Sequence, residues 1–254
     1  MSDKSAIEWT DATWNPVTGC SKVSPGCAHC YAERLSLRFR TSTAPWTQAN
    51  ALENVVLHED RLTVPLAWRQ PRMIFVNSMS DLFHELVPDA FIGRVFETMS
   101  QAQRHTFQIL TKRPERMRSW FEGPGASWAD EVLPNVWLGT SIENDRWVRR
   151  ADELRACQAE VRFISAEPLL GPLPSLDLSD IDWLIVGGES GPIHRPVEVS
   201  WVTDLRERAV EARVAFFFKQ WGGRTPKSGG RELDGRTWDE LPSKVRQRRE
   251  PLAV

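Results

Sequence analysis

The sequence is poor in cysteine, has no long apolar run and carries no large excess of either charge. Only four of its 254 residues are cysteine, too few for a scaffold held together by disulfides. No run of about 18 apolar residues occurs, so we expect no membrane-spanning helix. The net charge of −2 gives no global attraction to nucleic acid. The first residues lack a signal peptide's apolar core, which predicts a cytoplasmic protein.

Three of the four cysteines, Cys20, Cys27 and Cys30, lie close together in the sequence. In a reducing compartment, clustered thiols indicate metal binding rather than disulfides. Thiolates are soft ligands that select zinc or an iron–sulfur cluster. Three of them leave one coordination position vacant, as a catalytic centre requires, whereas a structural zinc site takes four ligands. For zinc, His29 or Cys157 would complete the shell; otherwise Cys157 is a packing residue.

Short apolar runs alternate with helical stretches along most of the chain. The runs are 73–76, 107–110, 136–138, 161–164, 183–186 and 215–218. Continuous apolar strands of this kind are typical of a parallel sheet buried on both faces. With the strand before the cysteines, they predict an α/β fold, a full or partial (β/α) barrel with the cysteine loop after the first strand. We expect a single domain over residues 1–254, with 224–254 as a C-terminal extension.

Polar residues follow the apolar runs, at the strand ends where barrel enzymes collect their chemistry. Lys112 and Arg113 can bind a phosphate or carboxylate of a substrate. Glu167 and Lys219 are candidates for the same substrate-binding edge. The alternative for all four residues is a set of structural ion pairs.

A glycine pair and a carboxylate, Gly187, Gly188 and Glu189, follow the run at 183–186. Glycines let the backbone approach a ligand closely, and a carboxylate can accept a hydrogen bond from an amine or a ribose hydroxyl. This favours a cofactor-binding turn. The alternative is an ordinary tight turn between a strand and a helix.

A three-cysteine loop after the first strand of a parallel βα barrel resembles the radical S-adenosylmethionine superfamily. In that superfamily, three cysteinates bind three irons of a [4Fe-4S] cluster, and S-adenosylmethionine chelates the fourth. The usual spacing is C-x3-C-x2-C. Here Cys27 and Cys30 keep the C-x2-C half, with His29 in the slot that is often aromatic, while the first gap has six residues.

The chain also resembles an uncharacterised family of phage and bacterial three-cysteine-motif proteins over nearly its whole length. Besides the cysteine loop, the matching segments are 7–16, 77–83, 110–114, 165–170, 187–191 and 218–222. The resemblance to the radical S-adenosylmethionine superfamily implies a [4Fe-4S] cluster on the three cysteines and S-adenosylmethionine as its partner. It places Ser78 and Asp81 at the methionine amino group and, by the same logic, Ser141 and Glu143 at the ribose hydroxyls. Helix capping is the alternative for these four residues.

The sequence is compatible with three functions. The first is a radical S-adenosylmethionine enzyme acting on a nucleic-acid or nucleotide substrate, for modification or repair, with a partner protein as a further possibility. The second is a non-catalytic nucleic-acid-binding protein that contains zinc or a cluster. The third is a metal-free barrel hydrolase using Asp81, Glu143, Glu167 and Glu189, which leaves the cysteine loop unexplained.

Overall fold

The computed structural model describes residues 4–225 and 227–242. Residue 226 and residues 243–254 of the expected C-terminal extension lie outside the described residues. The chain divides into two compact units. The first unit comprises residues 1–140 and 152–160, and the second comprises residues 141–151 and 161–254. The single domain over residues 1–254 stays a prediction.

Strands and helices alternate along the described residues. The strands are β1 Ala12–Trp14, β2 Val17–Thr18, β3 Val56–Leu57, β4 Met73–Val76, β5 Thr106–Thr111, β6 Val136–Ser141, β7 Val161–Ala166, β8 Trp183–Gly187 and β9 Ala215–Gln220. The helices are α1 Tyr31–Arg38, α2 Ala51–Asn54, α3 Val64–Ala67, α4 Asp89–Gln101, α5 Pro114–Glu122, α6 Ala126–Asp130, α7 Arg150–Arg155 and α8 Val199–Glu211. None of the described helices is both long enough and apolar enough to cross a membrane.

The first unit is built on parallel strands in the order β1, β4, β5 and β6. Every residue of β4 is buried, as a strand covered on both faces requires. The helix α4 buries Phe91, Ile92, Val95, Phe96 and Met99, which recur at helical spacing along one face. The short strands β2 and β3 form an antiparallel pair. In the sequence, β2 lies just before the cysteine loop and β3 follows α2. Because the main strands are parallel, their carboxyl ends share one edge, where the loop also begins.

The second unit is built on the parallel strands β7, β8 and β9, in that order. All five residues of β8 are buried, and so are Phe216, Phe217 and Phe218 of β9. The helix α8 buries Val202, Leu205 and Ala209, again at helical spacing. The charged residues near the carboxyl ends of these strands therefore lie at the edge of a buried apolar core.

The predicted α/β class is confirmed, with a parallel sheet, alternating helices and the cysteine loop after the first strand. The five strands β5 to β9 extend beyond the apolar runs that predicted them, so three predicted site residues lie within a strand. Ser141 lies within β6, which continues through Gly139 and Thr140 because Thr140 pairs with Thr111 of β5. Gly187 and Lys219 lie within β8 and β9, not after them. In each place main-chain pairing continues beyond the last apolar residue.

Candidate functional site

The cysteine loop begins at a glycine that no other residue can replace. Gly19 has φ +83°, the left-handed conformation that favours glycine. A Cβ there would lie 1.8 Å from the carbonyl oxygen of Asn54. Its N–H donates to the carbonyl of Met79, which joins the loop to the segment after β4. The loop then passes through a 3-10 helix, Pro25–Cys27, and leads into α1 directly after Cys30.

The three cysteines of the loop form no disulfide, and each residue is partly exposed as a whole. The charge of Cys27 acts to raise the pKa of both Cys20 and Cys30, although burial has the larger effect on each. Burial raises the pKa of Cys20 to about 12, although the charge of Arg113 acts in the opposite direction. Burial also raises the pKa of Cys30. These two groups are therefore thiols at neutral pH. A metal bound there would supply the positive charge that converts them to thiolates.

Arg113 lies against Cys20 and forms a buried ion pair with Asp81. Its Nη1 is 3.6 Å from Cys20 Sγ and 3.2 Å from Asp81 Oδ2. Its Nη2 donates to the carbonyl oxygen of Ser21 at 3.0 Å and to Ser21 Oγ at 3.1 Å. The side chains of Arg113 and Asp81 are only 9% and 7% exposed. The guanidinium therefore fixes the first part of the cysteine loop to the segments that follow β4 and β5.

Both carboxylate oxygens of Asp81 are fully engaged. Oδ1 accepts hydrogen bonds from Thr111 Oγ1 at 2.7 Å and from the N–H of Phe83 at 3.0 Å. Oδ2 accepts from the N–H of Lys112 at 3.0 Å and from Arg113. A carboxylate has about four lone-pair positions, and four donors fill them. Asp81 thus joins the ends of two neighbouring strands and holds Arg113.

His84 extends this network behind the loop and is fully buried. Its Nδ1 accepts the N–H of Leu86 at 3.1 Å, which leaves Nε2 to donate to Ser21 Oγ at 2.8 Å. Burial lowers the pKa of His84 to about 4, and the charge of Arg113 acts in the same direction. The imidazole is therefore neutral at pH 7. Ser21 Oγ receives one hydrogen bond from His84 and another from Arg113.

Ser78 and Lys112 complete the predicted residues of the first unit. Ser78 Oγ donates to Asn15 Oδ1 at 3.2 Å, and its carbonyl oxygen accepts from the Tyr31 hydroxyl at 2.7 Å. The charge of Lys112 lowers the pKa of Cys30, although burial has the larger and opposite effect. The predicted residues that the first unit brings to one edge are Cys20, Cys27, Cys30, Ser78, Asp81, Lys112 and Arg113.

In the second unit, Glu143 and Arg150 form an ion pair whose side chains are 0% and 1% exposed. Arg150 Nη1 donates to Glu143 Oε2 at 3.0 Å and to the carbonyl oxygen of Ser141 at 2.8 Å. The guanidinium also lies 4.1 Å from the ring centroid of Trp147. Glu143 is thus enclosed by partners from the chain itself. A role at ribose hydroxyls would require this pair to open.

Glu167 and Lys219 meet as an ion pair that joins β9 to the residue following β7. Lys219 Nζ is 2.9 Å from Glu167 Oε1, and Ser165 Oγ donates to Glu167 Oε2 at 3.2 Å. A Cβ on Gly187 would lie 2.9 Å from Glu167 Oε1. The side chains of Lys219 and Glu167 are 24% and 14% exposed, so water reaches this pair.

Glu189 and Gly188 also serve the packing of the second unit. The N–H and Nε of Arg195 both donate to Glu189 Oε2 at 2.9 Å, and its Nη2 donates to Oε1. These hydrogen bonds raise the pKa of Arg195. A Cβ on Gly188 would lie 2.0 Å from the carbonyl oxygen of Trp221. The glycine therefore allows the segments after β8 and β9 to approach each other, which is the packing alternative.

Residues 4–242 match a family model described as "Protein of unknown function (DUF5131)". The chain belongs to this family. No curated protein and no solved structure matches the chain significantly. The family description states no reaction, so the resemblance to the radical S-adenosylmethionine superfamily stays a prediction.

A site for a single metal ion requires several ligand side chains that converge on one point. Among residues 4–225 and 227–242, no three His, Cys, Asp or Glu side chains are arranged to hold a metal ion. That finding concerns a single ion, whose ligands must all converge on one point. In a four-iron cluster each thiolate binds a different iron, so the three sulfurs need not converge. Three free sulfur ligands on one loop fit such a cluster in kind and in number. Cys157 is buried and donates to the carbonyl of Glu153 at 3.4 Å.

Sequence reasoning missed the residues that hold the predicted ones in place. These are Ser21, His84, Thr111, Arg150 and Arg195. Ser21 and Thr111 adjoin predicted residues in the sequence, so their proximity was a usable signal. His84, Arg150 and Arg195 stand three to seven positions from Asp81, Glu143 and Glu189, but they carry no local pattern that distinguishes them from the chain's other arginines and histidines.

Proposed function

We propose that the protein is a radical S-adenosylmethionine enzyme that binds a [4Fe-4S] cluster through Cys20, Cys27 and Cys30. The observation that carries this proposal is the set of three partly exposed cysteines on one loop, none of them in a disulfide. Three protein ligands leave one iron for the amino and carboxyl groups of S-adenosylmethionine, as the sequence resemblance implies. A cytoplasmic location belongs to the same proposal, because a reducing compartment keeps clustered cysteines available as metal ligands.

A reduced cluster would supply the electron that cleaves S-adenosylmethionine to methionine and a 5′-deoxyadenosyl radical, which takes a hydrogen atom from the substrate. The chain's own contribution is to bind and orient. Arg113 fixes Cys20, and its N–H group stabilises negative charge on that sulfur. Asp81 acts through Arg113 and is a positioning residue. His84 is neutral at pH 7 and buttresses Ser21 without adding charge.

The remaining predicted residues have roles that are proposals. Ser78, Ser141, Glu143, Gly187, Gly188 and Glu189 are candidates for S-adenosylmethionine, while Lys112, Arg113, Glu167 and Lys219 are candidates for the substrate. The case for ligand binding is stronger for Glu167 and Lys219 than for Glu143. A ligand can reach the partly exposed pair, whereas it can reach Glu143 only if a buried ion pair opens. The proposed substrate is a nucleic acid or a nucleotide, and a partner protein that presents it is compatible with this function.

The test is the iron, sulfide and zinc content of protein purified without oxygen. We expect about four irons and four sulfides per chain in the wild type. The Cys27→Ala variant should lose both, because it lacks one of the three ligands. Cys157→Ala is the matched control, since that thiol is buried and bonded to a main-chain carbonyl, and it should keep the full content. Loaded wild type should then form 5′-deoxyadenosine from S-adenosylmethionine and dithionite.

Two results would favour the other functions. About one zinc per chain without sulfide would support a non-catalytic nucleic-acid-binding protein and exclude the radical mechanism. Full stability and activity after replacement of all three cysteines would favour the metal-free hydrolase. That hydrolase is disfavoured by the ion pairs of its four carboxylates, Asp81, Glu143, Glu167 and Glu189, each of which is held by a cationic side chain.

A further inference from the structure

The helix that follows the cysteine loop has an outer face of aromatic and cationic side chains. Tyr31, Arg34 and Arg38 recur at spacings of three and four residues, so they lie along one side of α1. All three are exposed, whereas Ala32, Glu33 and Ser36 on the opposite side are buried. The inner side of α1 is thus packed on the first unit, and the outer side faces solvent.

An exposed aromatic ring, that of Phe39, lies at the C-terminal end of this face. Phe39 is 66% exposed, which is unusual for a phenylalanine, and Tyr31 at the other end is 44% exposed. The Arg38 guanidinium lies 5.7 Å from the centroid of the Phe39 ring. Arg40 follows at once and is exposed. We call Tyr31, Arg34, Arg38, Phe39 and Arg40 the α1 surface.

The charge of this surface is not balanced locally. Between residues 20 and 50, the only acidic residue is Glu33, and it is paired with Lys22 at 2.8 Å. Within the described part of the chain, no ion pair joins Arg34, Arg38 or Arg40 to an acid. The whole chain carries a net charge of −2, so three arginines without a nearby acid, along α1 and just after it, form a distinct local cationic patch.

We infer that the α1 surface binds single-stranded nucleic acid. Arginine is suited to phosphate recognition, and an exposed aromatic ring between arginines is the combination on which successive unpaired bases stack. An acidic protein would satisfy the charges but gives no reason for a ring as exposed as that of Phe39. Because α1 begins directly after Cys30, a strand bound here lies beside the cysteine loop. The inference rests on the proposed function in one respect, since it identifies the bound strand as the substrate of that enzyme. The binding itself does not require a cluster.

The experiment measures binding of fluorescently labelled single-stranded DNA and RNA to the full chain by anisotropy, over a range of salt concentrations. The test variant is Arg34→Gln/Arg38→Gln/Arg40→Gln. Each phosphate contact adds about −0.7 to the slope of log K against log salt for single strands, so losing three should reduce its magnitude by about 2. Phe39→Ala should weaken binding about tenfold and leave the slope unchanged, because it removes only a stacking platform.

The matched control changes the same number of charges elsewhere on the first unit. Arg69, Arg94 and Arg104 are also exposed, and their triple glutamine variant should bind with the wild-type slope. Thermal melts of all variants establish that they are folded. Equal weakening in the two triple variants, an unchanged slope in the test variant, or equal binding of an acidic polyglutamate peptide would overturn the inference.

The same protein samples separate this inference from the proposed function. Binding that depends on the α1 surface, in protein that contains zinc or no metal, would support the inference and refute the radical mechanism. A full complement of iron and sulfide, with no measurable binding of single strands, would leave the proposed enzyme class standing and refute the role of the α1 surface.

Discussion

Replacing Asp81 with asparagine is the sharpest test of the network behind the cysteine loop. The carboxylate accepts four hydrogen bonds, two on each oxygen. An asparagine has one acceptor oxygen, so its amide nitrogen must replace the other. If Oδ1 keeps Thr111 and Phe83, the amide faces the N–H of Lys112 and the guanidinium of Arg113. The amide nitrogen is itself a donor, so it cannot accept the hydrogen bonds of Lys112 and Arg113. Arg113 then remains buried beside Cys20 without its counter-charge.

The expected cost follows from burial. Breaking a buried ion pair by removing one partner costs about 3–5 kcal/mol, and both side chains here are less than 10% exposed. Arg113→Gln should cost less, about 1–3 kcal/mol, because Asp81 keeps three of its donors and Ser21 Oγ keeps the one from His84. Arg94→Gln is the control, since it breaks an exposed ion pair with Glu59 and should cost less than about 1 kcal/mol.

The assay is urea unfolding of metal-free protein, followed by tryptophan fluorescence at pH 7. The free energy of unfolding should fall most for Asp81→Asn, less for Arg113→Gln and least for Arg94→Gln, with similar slopes against urea. The reasoning is refuted if Asp81→Asn costs no more than Arg94→Gln. It is equally refuted if Arg113→Gln costs more than Asp81→Asn, because the donor count at Asp81 would then not determine the energetics.

Three further predictions follow from other buried groups. Burial lowers the pKa of His84 to about 4, so the unfolded chain binds more protons than the folded one between about pH 4 and 6.5. Stability should therefore be full above about pH 6.5 and decline by up to about 3 kcal/mol as the pH falls to 4, measured by urea midpoints; a His84→Gln variant that declines equally would contradict this. Glu143→Leu should cost about 3–5 kcal/mol because Arg150 stays buried, and adding Arg150→Met to it should recover most of that cost. No recovery in a double-mutant cycle would count against a pair-specific cost. In thermal melts, Gly19→Ala should destabilise the protein through its clash with the Asn54 carbonyl, whereas Gly93→Ala, which has open space within α4, should stabilise it by about 0.5–1 kcal/mol; equal shifts would contradict the geometry.

The parallel sheet was predictable because its signal is local. A strand buried on both faces must be apolar at successive positions, and runs such as 73–76 and 183–186 satisfy that requirement by themselves. The polar residues after those runs then had to collect at one edge within each unit, because parallel strands end on the same side. Boundaries were less predictable: β6 extends to Ser141 because its partner strand continues the main-chain pairing.

The site divides in the same way. The sequence alone determined that three thiols lie on one loop, that this loop follows the first strand, and that Asp81 and Arg113 stand at neighbouring strand ends. Only the tertiary structure decided that Arg113 reaches both Asp81 and Cys20, that His84 supports Ser21, and that Arg150 closes over Glu143. The physical reason is that a buried charge must find a partner wherever the fold supplies one. That partner is selected by proximity in space, and the order of residues along the chain does not record it.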